Sequence, residues 1–162
     1  MLRRLAFAAA IGVAAVLALA CSSGGNGRPA GTASPDAAGE DLTRSAEAGG
    51  VTVEATWLTE ATVGAVDADL TGYPPDEYVL IELKLDTHSG DLNEIDLERE
   101  AALKQGGTML EPEAWLSLGD DSHHREGVLV FPLNGESGPA DLTLSLGDDE
   151  EVALVWESPP AT

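Results

Sequence analysis

Hydrophobic and polar residues alternate with a period of two along much of the chain after residue 50. The alternation is clearest in four segments, residues 51–57, 79–86, 142–146 and 152–156. Successive side chains of a β-strand point to opposite faces, so each segment predicts a strand buried on one side. Residues 128–131 are apolar at every position and predict a short strand that is buried on both faces.

Turn-forming residues separate these segments. Gly106 and Gly107 lie between the strand-like residues 101–104 and 108–110, which predicts a hairpin. Residues 91–103 are the one stretch with helical spacing of apolar residues, and we expect there a loop that leads into a strand. About seven short strands separated by Gly, Pro and Asp predict an all-β fold, a single immunoglobulin-like antiparallel β-sandwich over residues 51–158. The cysteine pair of antibody domains is absent.

The three tryptophans, Trp57, Trp115 and Trp156, lie in or beside predicted strands. A sandwich of this size needs large side chains to fill its interior, so we expect all three in the core. The alternative is an exposed platform for a ligand.

The first twenty-one residues have the three parts of an export signal. Arg3 and Arg4 give a positive start, residues 5–17 are uncharged and predominantly apolar, and small residues precede Cys21. The apolar stretch is shorter than the ~20 residues that a membrane-spanning helix needs. We therefore predict a signal peptide over residues 1–20.

The segment Leu17-Ala18-Leu19-Ala20-Cys21 resembles the lipobox of bacterial lipoproteins. The resemblance covers only the first twenty-one residues, and Ala18 stands where the commonest lipobox has leucine. It implies that Cys21 carries diacylglycerol, becomes the mature N-terminus and anchors the protein to the outer side of the bacterial cell membrane. Ordinary signal-peptidase cleavage and an uncleaved anchor remain the alternatives.

Residues 21–50 follow as a predicted linker. After Cys21 the segment consists mostly of Ser, Gly, Ala, Pro, Asp and Thr, with Leu42 as its one large aliphatic residue. Such a composition buries too little apolar surface to offset its ordering entropy, so we expect a flexible spacer.

The chain is strongly acidic. Eight Lys and Arg residues oppose 29 Asp and Glu residues, for a formal net charge of −21. Nucleic acid is excluded as a partner, because phosphate binding depends on clustered cations. The acidity fits either a saline habitat or a basic partner. A single cysteine excludes an intramolecular disulfide and a zinc site built from several cysteines.

The three histidines are the chain's main candidates for site chemistry. His88 follows a predicted strand, and His123 and His124 lie in a predicted loop just before residue 128. If both segments share one pole of the sandwich, three imidazoles would converge, and such a set suits copper or zinc. Three carboxylates are candidates for an outer ligand shell: Asp86, Asp120 and Asp121.

The Thr87-His88-Ser89 and His123-His124-Arg125 segments, with Trp115 between them, look like a pattern found in uncharacterised secreted bacterial β-domains. That resemblance implies a sandwich with a histidine-bearing loop and no established activity. The first functional hypothesis is an extracytoplasmic binding module with a copper or zinc ion. The alternative is a metal-free module that docks an envelope protein, in which the histidines only hydrogen-bond their turns.

No catalytic residues are predicted. The chain has no glycine-rich phosphate loop and no Gly-x-Ser-x-Gly motif, and Ser122-His123 are sequence neighbours, which seldom have triad geometry. We therefore expect a protein that is not an enzyme, with a hydrolase of wall or lipid material as a third hypothesis.

Overall fold

The computed structural model describes residues 42–147 and 149–160, which belong to one compact unit. Nine strands account for most of them: β1 (Thr43–Ala48), β2 (Val51–Leu58), β3 (Tyr78–Thr87), β4 (Ala101–Gln105), β5 (Thr108–Leu110), β6 (Ala114–Asp120), β7 (His124–Pro132), β8 (Ala140–Gly147) and β9 (Glu150–Trp156). One helical turn, α1 (Leu97–Glu100), and two 3₁₀ turns at Val63–Ala65 and Leu92–Glu94 complete the elements. The predicted signal peptide, residues 1–20, and Cys21 lie outside the described residues.

The strands form two antiparallel sheets. Sheet A has the order β1-β2-β3-β7-β6, and sheet B has the order β5-β4-β8-β9. Their inward-facing side chains form one buried cluster that takes residues from both sheets. The predicted antiparallel all-β sandwich is thus confirmed.

Two tryptophans occupy the centre of this core, as predicted. Trp57 and Trp156 are fully buried, and their rings meet edge to face with centroids 5.5 Å apart. The prediction is wrong for Trp115, which is only half-buried and packs against the core cluster from outside.

The outer face of sheet A carries a second, smaller apolar cluster. It consists of Leu58, Leu80, Val128 and Val130, and half-buried residues of the β2–β3 connection pack against it. This cover explains why residues 128–131 are fully buried, as the unbroken apolar run predicted.

The β4–β5 hairpin is also confirmed. Gly106 and Gly107 have φ values of 60° and 107°. A two-residue turn whose strands twist correctly needs positive φ at both positions, which glycine adopts without steric cost.

The predicted linker over residues 21–50 is wrong at its end, because β1 (Thr43–Ala48) forms within it. The carbonyl of Leu42 accepts hydrogen bonds from the Trp57 backbone at 3.0 Å and from Trp156 Nε1 at 2.8 Å. Ala46 and Ala48 pack against the core. An edge strand of this kind needs only small side chains, so its composition looked like that of a spacer.

Residues 91–103 contain both the helical spacing seen in the sequence and the predicted passage into a strand. Two short helical turns, at Leu92–Glu94 and in α1, come first, and β4 then begins at Ala101. Leu92 and Leu97 anchor this segment in the core.

The helical segments of the described residues lack the length and hydrophobicity that a membrane-spanning helix needs.

Candidate functional site

The two histidine-bearing segments meet at one pole of the sandwich. β3 ends where β7 begins, and Asp86 pairs directly with His124 in the register of these neighbouring strands. One residue further, the Thr87 backbone N–H donates to the carbonyl of His123 at 3.0 Å. The shared pole follows from the antiparallel pairing of β3 with β7.

His124 lies in a strand, so the prediction of a loop that reaches to residue 127 is wrong. β7 begins at His124, and the turn from β6 occupies only residues 121–123. The His124 Nδ1 atom contacts Asp86 Oδ1 across the two strands. Their side chains are 72% and 56% exposed, so the pair faces solvent.

Within residues 42–147 and 149–160, the His123 side chain has only a local polar contact, and its backbone N–H also bonds locally. Its backbone N–H donates to Asp121 Oδ1 at 3.0 Å, and its Nδ1 lies 3.4 Å from Ser122 Oγ. His123 is exposed and sits one residue before β7.

His88 is exposed and follows the last residue of β3. The turn that carries it is organised by Thr87, whose Oγ1 accepts a hydrogen bond from the Ser89 backbone at 3.2 Å. The same hydroxyl lies 3.1 Å from the carbonyl of Gly50.

The predicted ligand set is therefore not gathered around one point. Among residues 42–147 and 149–160, no three or more His, Cys, Asp or Glu side chains are placed to hold a metal ion. Asp86 contacts His124, whereas Asp121 binds the backbone of His123. Asp120 lies 3.6 Å from Arg125 Nε.

An open groove of about 380 Å³ lies beside the His124–Asp86 pair. Its charged and titratable lining is Lys84, Asp86, Asp120, Asp121, His124, Arg125 and Glu126. Four carboxylates thus share the groove with two cations and one imidazole. The arrangement presents charged side chains of β3 and β7 to solvent.

A row of charged residues crosses the outer face of sheet A next to this groove. Lys84 Nζ lies 3.2 Å from Glu126 and 3.8 Å from Glu82. Burial raises the pKa of the Glu82 carboxyl, and Lys84 opposes this effect. The hydrogen bond to Glu126 raises the pKa of the Lys84 ammonium.

Arg125 has a structural role at this pole that the sequence analysis did not identify. It is only 8% exposed, and its Nη1 donates to the carbonyls of Leu92 at 2.8 Å and Ile95 at 2.7 Å. Its guanidinium lies 5.7 Å from the centre of the Trp115 ring. Arg125 therefore holds the segment before α1 against β7. The sequence did offer one indication that Arg125 is buried, because it lies four residues before the buried Leu129 and so on the same face of β7.

No family model matches the chain, and neither the curated proteins nor the solved structures contain a significant match.

Proposed function

We propose that the protein is a lipid-tethered, extracytoplasmic interaction module that docks a basic surface of another envelope protein. The observation that carries the tether is the position of the chain's one cysteine, Cys21, directly after an export-type segment. Two acyl chains or more give stable anchoring, which a diacylglyceryl cysteine supplies.

The charge of the chain supports a basic partner. A formal charge of −21 on 162 residues repels anionic lipid headgroups and attracts cationic protein surfaces. Such attraction acts mainly on the association rate and weakens as salt screens it. The exposed carboxylates around the groove at the histidine pole belong to this surface.

Contacts that cover the edge strands β9 and β6 support a monomeric domain. Arg44 Nε donates to the carbonyl of Val155 at the edge of sheet B, and Glu98 accepts from the Trp115 backbone at the edge of sheet A. In β6 the register shifts between Ser117 and Gly119, which distorts that edge further. Bulges and covered edges discourage strand-to-strand association between copies.

The tether is tested by expressing the full chain in a bacterium with radiolabelled palmitate. We expect label on the protein and its recovery with membranes, and loss of both in Cys21→Ser. Ser22→Ala is the matched control and should keep the label. Equal labelling of the Cys21→Ser protein, or an unlabelled parent protein, would overturn the anchor.

A copper or zinc module is the second candidate. The observation that favours it is the hydrogen bond between Thr87 and His123, which brings the chain next to His88 beside the His123-His124 pair. Calorimetric titration of the full chain with Cu²⁺ and Zn²⁺ tests it, with His88→Ala, His123→Ala and His124→Ala as variants. Tight binding that each substitution weakens would replace the metal-free proposal.

A further inference from the structure

A second groove lies at the opposite pole of the sandwich, beyond the last residue of β7. It has a volume of about 590 Å³, within the range of about 300–1,000 Å³ that small-ligand sites occupy. Its lining comprises Gln105, Leu133, residues 135–138 and residues 157–160. None of the histidine-pole residues takes part.

Gln105 gives this groove an unused hydrogen-bond acceptor. The residue ends β4 and is only 5% exposed, and its Oε1 has no hydrogen-bond partner among the residues that the structure describes. Buried polar groups are nearly always paired, because leaving one unpaired costs its full desolvation free energy. An N–H donor in the groove would remove that cost.

Asn134 shapes the loop that forms one side of the groove. Its Oδ1 accepts a hydrogen bond from the Glu136 backbone at 2.9 Å, which fixes the orientation of the amide. Asn134 lies between Leu133 and Gly135, both of which line the groove.

The walls of the groove are apolar and acidic. Leu133, Pro159 and Pro160 supply apolar surface, and Glu136 and Glu157 supply negative charge. The described residues of the lining include no Lys, Arg or His, so an anionic ligand would be repelled.

Contacts within the protein hold the Glu136 side of the groove in place before any ligand binds. Glu136 Oε1 accepts a hydrogen bond from Thr108 Oγ1 at 3.1 Å, and the Glu136 side chain covers Gly106 so closely that a Cβ there would lie 2.4 Å from it. A wall fixed in this way spares a ligand part of the ordering cost of binding.

We infer that this groove binds a short, extended peptide segment that carries lysine or arginine. A peptide backbone offers an N–H for Gln105 Oε1, and a basic side chain suits Glu157. A second copy of this chain is disfavoured as occupant because each copy carries a charge of −21. The inference rests on the proposed interaction function and assigns its partner contact to this pole.

Amide NMR of the full, isotope-labelled chain tests the inference. The probes are the blocked pentapeptides acetyl-Ala-Lys-Ala-Lys-Ala-amide and acetyl-Ala-Glu-Ala-Glu-Ala-amide. We expect the lysine peptide to shift the signals of Gln105 and residues 135–138, and the glutamate peptide to leave them unchanged. Shifts confined to the histidine pole, or equal shifts with both peptides, would refute the groove while leaving the tether and a basic partner in place.

Two variants sharpen the result. Gln105→Met keeps the size of the side chain and removes its acceptor, and we expect at least tenfold weaker binding of the lysine peptide. Glu157→Gln acts at an exposed position, so it keeps the test valid if Gln105→Met does not fold, and it should weaken the same binding. Glu111→Gln, exposed and outside the groove, is the matched control and should change nothing. Unchanged affinity in Glu157→Gln, or shifts that grow with protein concentration alone, would overturn the inference.

Discussion

Gly127 shows how one missing side chain shapes the histidine pole. A Cβ at Gly127 would lie 2.5 Å from the carbonyl oxygen of Leu116 and 2.6 Å from the Trp115 ring. The absence of that atom lets Trp115 lie over β7, where it also meets Arg125. Only a residue without a Cβ permits this approach.

We predict that Gly127→Ala destabilises the fold by about 1–3 kcal/mol, the usual cost of overpacking a filled site. Urea unfolding followed by tryptophan fluorescence measures the change. Gly119→Ala is the control, because a Cβ there meets nothing within 4 Å. Equal stability of the two variants would show that the Trp115 ring and the Leu116 carbonyl both shift at no cost.

Glu82 gives stability a specific dependence on pH. Burial is the main reason that its pKa in the folded chain lies above the ordinary value of 4.5, which applies to the unfolded chain. At a pH between the unfolded-state pKa and the folded-state pKa, the folded chain therefore binds more protons than the unfolded chain. The free energy of unfolding from this group therefore falls as pH rises through that window. We predict a flatter profile in Glu82→Gln than in the parent, measured by urea unfolding from pH 4 to pH 8. A profile that keeps the parent's slope there would contradict the assignment.

At the scale of elements, β1 is the strand that links the two sheets. It pairs with β2 in sheet A, and Arg44 and the Leu42 carbonyl bind β9 of sheet B. Each lost hydrogen bond costs roughly 0.5–1.5 kcal/mol.

We predict that a chain beginning at Val51 is less stable than one beginning at Ala33 by about 3 kcal/mol or more, since several such bonds vanish together. Thermal unfolding of both chains measures the difference. Identical midpoints would mean that β1 is dispensable and that the domain boundary at residue 51 was right after all.

The elements that were predictable share a physical cause. β2, β3, β8 and β9 each bury one face in a large core, and this burial imposes the period-two pattern that the sequence displays. β1 contributes small residues at an edge, and β6 loses its alternation at the bulge near Leu118, so neither shows a strong pattern.

The site was predictable in position and not in detail. Antiparallel pairing made a shared pole for His88 and His123 a reasonable expectation, and the register confirms it. The side of the sheet on which a histidine lies depends on the residue at which β7 begins. The residues around His124 are polar, so the hydrophobic pattern did not reveal that β7 begins there. The unpaired amide of Gln105 left no trace in the sequence, because it depends on residues distant along the chain.

At the scale of the whole molecule, self-repulsion is the dominant electrostatic effect. A net charge of −21 crowded onto one small chain disfavours the compact state, and salt screens that repulsion. We predict that the thermal midpoint rises by several degrees between low salt and about 1 M NaCl, where the Debye length is about 3 Å. Near pH 4.1, the isoelectric point, the rise should shrink. A midpoint that falls with salt at neutral pH would indicate that attractive ion pairs dominate instead.

The apolar cover on the outer face of sheet A has a practical consequence for protein engineering. Residues 59–77 have the length and composition of a permissive surface loop, yet Val63, Val66 and Leu70 seal the cluster over Leu80. A tag or epitope inserted there would expose that apolar cluster to solvent. The Gly106-Gly107 turn connects the paired strands β4 and β5 and does not contact the cluster. The connection between β2 and β3 is best treated as part of the domain's interior when insertion sites are chosen.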